Sequence, residues 1–283
     1  MEEYLNKEDE MKIPIKMTLT AIGILILLFL VIILFNVSSF NNTIKKEKSL
    51  LFDSKSIPVE KISEADLEHL PELMKNYLIK AQIIGKSKYC NVTFSQKGTI
   101  KTDPKKGWIS FTAVQYMSSK NPGFIWKARA LPMLIRDKYI DQKGEVKISL
   151  LGLKDVASLG PEVDQSSLGR YFGELIWFPI GFLDPDIIWK QIDTTKVKGT
   201  ITKGDLSLTG YFYFDETGMI KSFSTQRYRD TTLEDFIAEA GEYQNYDGLL
   251  IPNKMTAIWN LKGEKFEYFK ADIVSCELTE TIP

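Results

Sequence analysis

The chain has 283 residues, 44% of them hydrophobic and 26% charged, with a formal net charge of -1, a balance that fits one domain, or one and a half, beside a membrane segment. Lys and Arg are scattered and nearly matched by Asp and Glu, so no basic stripe is available to neutralise a phosphate backbone, and nucleic acid is excluded as a partner. A single histidine, His69, and two cysteines, Cys90 and Cys276, argue against a zinc centre and leave any Ser-His-Asp or Cys-His arrangement dependent on a histidine in a predicted helix.

After a short tail, residues 1–16, the run "MTLTAIGILILLFLVIILF" from Met17 to Phe35 carries no charge. As a helix rising 1.5 Å per residue it reaches roughly 28 Å, about one hydrocarbon core. A cleavable signal peptide competes with this reading, because Val37 to Ser39 supply small residues, but such peptides use about 7 to 15 apolar residues. An uncleaved anchor is therefore expected, making the membrane a partner through Met17 to Phe35. Charge counting does not settle topology: Lys7, Lys12 and Lys16 precede the span and Lys45, Lys46, Lys48 and Lys55 follow it. Two of the N-terminal lysines crowd the span, and the expected arrangement is N-terminus inside with the domain outside. Residues 36–62 are polar, lysine-bearing and without sustained period, and read as a stalk to a domain over residues 63–283.

The domain opens on "SEADLEHLPELMKNYLIKAQI", where Leu70, Leu73, Met74, Tyr77, Leu78 and Ala81 recur at helical spacing behind a Ser63 cap. Alternating β-branched and aromatic segments follow, punctuated by Gly and Pro: "NVTFSQKGTIKT", "GWISFTAVQYMSS", "GFIWKARALPML" and "RDKYIDQKGEVKISLLGL". The cysteines lie in strand-like "YCNVTF" and "DIVSCEL", and the sequence leaves a disulfide between them open.

"GRYFGELIWFP" interrupts the strands. Residues 164–167 offer caps and Pro179 a stop, so a helix of about three turns is expected, with Arg170 and Glu174 on one face and Trp177 beside them. Three readings stay open for the pair. It forms a structural ion pair at the rim of the core, it presents Arg170 to a carboxylate or other anionic head group, or Glu174 serves an envelope hydrolase. Strand residues that mix rings with charge are further candidates: Trp126 with Arg129, Asp137 with Asp141, and Arg227 with Arg229.

Strands resume at "KVKGTITK" and "LSLTGYFYFDETGMIKSFSTQRYR", the latter a hairpin turning at "DETG" with Leu206, Leu208, Phe212 and Phe214 on one face. A short helix is expected at "TLEDFIAEAG", and three closing strands are marked by turns at Asp247-Gly248 and Lys262-Gly263. Nine or ten strands joined by tight turns form antiparallel sheet, giving an α+β domain with a large curved sheet and helices packed on its concave face. Neither GxGxxG nor a Walker loop occurs, and no cofactor is expected.

Taken in order, "LPELMKNYL", "NPGFIWKARA", "DKYIDQKGEVKISLLGL", "RYFGELIWFP", "FDETGMIKSFSTQRYR" and "EYQNYDGLLIPNKMTAIW" resemble the motifs of a bacterial family of unknown function, over roughly Leu70 to Leu278. The resemblance implies a fold like the periplasmic lipoprotein carriers, a half-barrel closed by helices over an apolar cavity, and carries over no site residues. With it the leading expectation is an envelope domain that shelters a lipid or other hydrophobic small molecule. Arg170, Glu174, Trp177, Trp126, Phe124, Phe172, Phe178, Trp189, Phe212 and Phe214 are the expected ligand-facing residues. The competing expectation is a structural or interaction module in which these rings are consumed by packing.

Overall fold

Inward and outward residues alternate along nearly every segment after residue 90, and this alternation builds the sheet. The structure, a computed structural model, describes residues 2–52 and 60–280, with the side chains of residues 17–52 and 60–279. Six strands come first: β1 (Cys90–Ile100), β2 (Ile109–Ser118), β3 (Gly123–Ala130), β4 (Met133–Ile140), β5 (Lys143–Leu150) and β6 (Lys154–Ser158). Seven follow: β7 (Ile187–Gln191), β8 (Lys196–Lys203), β9 (Leu206–Phe214), β10 (Ile220–Arg229), β11 (Thr232–Tyr246), β12 (Leu249–Leu261) and β13 (Glu264–Glu280). All pair antiparallel in one sheet of order β6-β5-β4-β3-β2-β1-β13-β12-β11-β10-β9-β8-β7. Two meanders are thus joined where β1 pairs with β13. The turns expected at Asp247-Gly248 and Lys262-Gly263 carry positive φ at both residues, 52° and 74° in one, 55° and 87° in the other, as tight two-residue hairpins require.

The helices are α1 (Glu2–Leu51), α2 (Glu72–Lys80) and α3 (Pro161–Glu174), with single 3-10 segments at Glu64–Leu67 and Pro179–Leu183. Helix α3 links the two meanders and shows how strongly the sheet curls, for it touches β4 and β5 near one edge and β9 and β10 near the other. Polar bonds stitch both flanks. Asp164 accepts from the Gly144 amide at 2.7 Å and from Lys143 at 2.9 Å. On the far side Arg227 Nε donates to the Ser166 carbonyl at 2.9 Å, and Gln165 Nε2 donates to the Gln226 carbonyl at 2.9 Å. The result is an α+β half-barrel with α3 on its concave face.

Several expectations change. Residues 36–51, read as part of a stalk, continue α1, because Phe40, Ile44 and Leu51 make one buried stripe against Ile125 and Leu134 on the convex face. Glu47 on the same stripe accepts from Arg136 at 2.9 Å and Lys138 at 2.8 Å. The stripe is narrow, and its polar flanks hid it. The rest of the expected stalk, residues 53–59, lies outside the described residues. The opening helix is split, since Pro71 has no N–H to continue the preceding turn. Helix α3 starts at Pro161 behind Gly160, so residues 164–167 lie inside it and not at its cap. "TLEDFIAEAG" is strand β11, paired on both sides by β10 and β12, a case of sheet context overriding helix propensity. Among the described residues thirteen strands replace nine or ten. Cys90 and Cys276 form no disulfide with each other: β1 and β13 are neighbours, but Cys276 stands opposite Phe94 and Cys90 opposite Glu280.

Glycine makes room for the rings that fill one half of the curl. A Cβ at Gly199 would stand 2.6 Å from Phe172 Cζ and 2.7 Å from Trp189 Cζ3, closer than ordinary packing admits. Gly199→Ala is therefore expected to destabilise the domain by about 1–3 kcal/mol through overpacking, read as a lower denaturation midpoint of the full chain in detergent.

Candidate functional site

Six of the expected ligand-facing rings pack among themselves or against other elements. Phe172 meets Phe212 at 5.2 Å and Trp189 at 5.9 Å between ring centroids. Phe214 lies 6.2 Å from Tyr77. Trp177 donates to the Pro252 carbonyl at 3.1 Å and sits 6.3 Å from Phe94, away from the charged pair, because α3 ends at Glu174 and the chain turns there. Phe178 is fully buried just after that turn.

The other four residues come together. Arg170 lies on α3 with its Nε donating to Glu174 Oε1 at 2.8 Å and its Nη1 to Asp137 Oδ2 at 2.7 Å. Its guanidinium lies over two rings of β3, with Cζ 4.7 Å from the Phe124 centroid and 5.0 Å from that of Trp126. A chain of buried amides continues from the carboxylate. Gln115 Nε2 donates to Glu174 Oε2 at 2.8 Å, and Trp126 Nε1 donates to Gln96 Oε1 at 2.9 Å. Both Glu174 oxygens are thus occupied.

Of these groups Trp126, Asp137, Arg170 and Glu174 line one end of a cavity of about 180 Å³ between α3 and the concave face, while Phe124, Gln96 and Gln115 lie behind them. Its remaining wall is largely apolar and includes Ile100, Met133, Ile148, Met255 and Phe269. Ile148 and Thr102 are exposed and mark its mouth. A second arginine, Arg227 of β10, also lines it. Only 6% of Arg227 is exposed, its guanidinium lies 4.3 Å from the Phe236 centroid, and its Nη1 has no hydrogen-bond partner among the described residues. Asp137 Oδ1 is likewise unpartnered there. A groove of about 1000 Å³ on the convex face is larger, but it is open, and its charged side chains, such as Lys196, Lys221 and Glu239, are at least partly in solvent.

Burial acts on all three charges. It pushes the Glu174 carboxyl up, against the pull of the Arg170 charge and the bonds from Arg170 and Gln115. Burial draws Arg170 down, but the neighbouring Glu174 and Asp137 charges outweigh it and leave the guanidinium held more firmly protonated than usual. Arg227 has no such carboxylate contact, and burial lowers it.

Sequence reasoning missed the two glutamines and ranked Arg227 among many. A signal was present: Gln96 follows Val92 and Phe94 in the inward phase of β1, and Gln115 follows Phe111 and Ala113 in that of β2. Asp137 and Arg227 occupy inward phases in the same way.

A family model with the description "Family of unknown function (DUF6544)" matches residues 60–271. The chain belongs to DUF6544. Among solved structures, the DUF6544 chain is similar to a LolA superfamily protein, NE2245 from Nitrosomonas europaea, at 10% identity and a TM-score of 0.43, covering 75% of this chain and 93% of the other. It is also similar to a domain assigned to outer membrane lipoprotein sorting from Vibrio parahaemolyticus, at 8% identity and a TM-score of 0.41, covering 68% and 87%. No curated protein matches the chain.

Because the folded Glu174 carboxyl titrates above its ordinary value, the native state holds that proton more tightly than the unfolded chain. The associated stability is present below the unfolded pKa and is lost as pH rises through the folded one. Glu174→Gln, which cannot ionise, should not share that loss. The melting temperature of the natural chain minus that of the variant is expected to fall as pH rises from 4 toward neutrality, measured on the full chain in detergent.

Proposed function

We propose that this chain is a membrane-anchored extracytoplasmic domain that binds an amphiphile, holding a segment of its hydrocarbon chain in the cavity and its acidic head group on Arg227. The observation that carries this reading is the Arg227 Nη1 group, buried and without a hydrogen-bond partner among the described residues, on the wall of a largely apolar hollow. A buried, unpaired guanidinium is costly unless something completes it. Arg170, the orienting group expected from sequence, is already neutralised by Asp137 and Glu174, so it positions the wall and leaves the anion to Arg227. The planar fork of an arginine suits a carboxylate or phosphate.

The cavity holds about 180 Å³, roughly six water volumes and less than the usual range for a whole ligand of drug size. Only part of a long chain fits, and the rest extends through the mouth. The same small volume favours a second reading, a structural module of the envelope without ligand, since most of the rings are used in packing.

The test uses palmitate carrying a diazirine in its chain, photolysed with the full-length protein in phosphatidylcholine vesicles. Cross-links are expected on the cavity strands, at Met133, Ile148 or Met255. Arg227→Met should weaken labelling about 10- to 100-fold, the worth of one charge-assisted bond at about 1.5–3 kcal/mol, while the methyl ester of the probe labels poorly in either protein. Arg227→Met should lower the melting temperature only slightly, because loss of the Nε bond to the Ser166 carbonyl is offset by removal of a buried charge that meets no carboxylate directly. Labelling confined to Met17 to Phe35, together with a large loss of stability in Arg227→Met, would return the residue to a structural role.

A further inference from the structure

Two hairpin turns lie level with the end of the apolar run of α1. A Cβ at Gly152, in the β5–β6 turn, would stand 2.6 Å from Asn36 Cβ and 3.3 Å from the Val37 amide nitrogen. Asn36 directly follows Phe35, the last residue of the apolar run, one helical rise of about 1.5 Å further on. The β3–β4 turn is tied to the β5–β6 turn, since the Leu151 amide donates to the Pro132 carbonyl at 3.1 Å. Both turns display leucines to the outside: Leu131 is 73% exposed, Leu150 45% and Leu153 43%. Large apolar tips on a solvated turn need a reason. The β2–β3 register ends with Thr112 opposite Arg129, so Trp108 precedes the end of this pairing by four residues and Leu131 follows it by two. Trp108 is partly exposed with the Lys101 and Lys270 ammonium groups 5.2 Å and 5.3 Å from its ring, a pairing suited to the head-group layer.

The mouth of the cavity continues into these tips. Met133 pairs with Leu150, and Ile148 lies two residues from Leu150 on the same face of β5. We propose that the turns carrying Leu131 and Leu150–Leu153 are inserted into the bilayer that α1 crosses, so that the cavity opens onto lipid and not onto water. The occupant of this surface is the lipid bilayer itself, fixed by the unbroken helix that joins span to domain. An amphiphile then moves between bilayer and cavity with its chain in a continuous apolar environment. The inference rests on the reading of Met17 to Phe35 as a span.

The test is site-directed spin labelling of the full chain in phosphatidylcholine vesicles, comparing relaxation by oxygen, which concentrates in lipid, with relaxation by an aqueous nickel chelate. Single cysteines replace Leu131, Leu153, Leu27 and Ile188; Ile188 is as exposed as Leu131, at 73%, but sits on the opposite edge strand. The natural chain serves as the labelling blank: Cys90 is buried, and burial pushes the Cys276 thiol up to about 12. Labels at 131 and 153 are expected to favour oxygen, as at 27, while the label at 188 favours the chelate. Water exposure at 131 or 153 with lipid exposure at 27 overturns the insertion and leaves the anchor standing. Water exposure at 27 overturns the anchor and the insertion together.

Discussion

One guanidinium held between two carboxylates fixes the inside of this domain. Arg170 joins Glu174, at the end of α3, to Asp137 on β4, and it rests on two rings of β3. A buried ion pair contributes little net stability against well-packed apolar residues. Its effect here is positional: the helix cannot slide or rotate within the curl without stranding a charge. With α3 so placed, Asp164 reaches β5 and Gln165 reaches β10, and the two meanders close toward each other around it. Arg170 is satisfied within this cluster, whereas Arg227, also on the cavity wall, keeps an Nη1 donor without a hydrogen-bond partner among the described residues.

The second constraint comes from α1. A helix that ran from its apolar run into a loose stalk would let the domain drift relative to that run. Instead Phe40, Ile44 and Leu51 dock on the convex face, and Glu47 meets Arg136 and Lys138. The domain is therefore fixed in position and rotation relative to the apolar run of α1, and the turns level with the end of that run are those with exposed leucines. The mouth at Ile148 and the two turns fall along one flank, β3 to β6, so the position of the helix bears on access to the cavity.

Much of the fold is legible in local pattern. Alternation marks most of the strands, the Asp-Gly and Lys-Gly turns mark hairpins, and the four-residue spacing of Arg170 and Glu174 marks their pairing. The misreadings share a cause, which is that the deciding partner is distant in sequence. "TLEDFIAEAG" has helical propensity but two strand neighbours. The stripe at Phe40 and Ile44 has meaning only against Ile125 and Leu134. The site was half legible: aromatic supply pointed to the six rings that pack elsewhere, whereas the polar residues in inward phase, Asp137 and Arg227 on the wall and Gln96 and Gln115 in the bonds behind it, identify the site more directly. A polar side chain where alternation demands an apolar one is the better signal, because burial forces it to find a partner.

The account stands on what completes Arg227. A crystal structure of the full chain, purified from membranes without delipidation and resolved well enough to place water, reads this directly. Elongated density in the cavity, with an acidic group within hydrogen-bond distance of Arg227 Nη1 and its tail leaving past Met133 and Ile148, is the predicted result. Ordered water alone, bridging Arg227 Nη1 and Asp137 Oδ1 in a hollow otherwise closed, would contradict it.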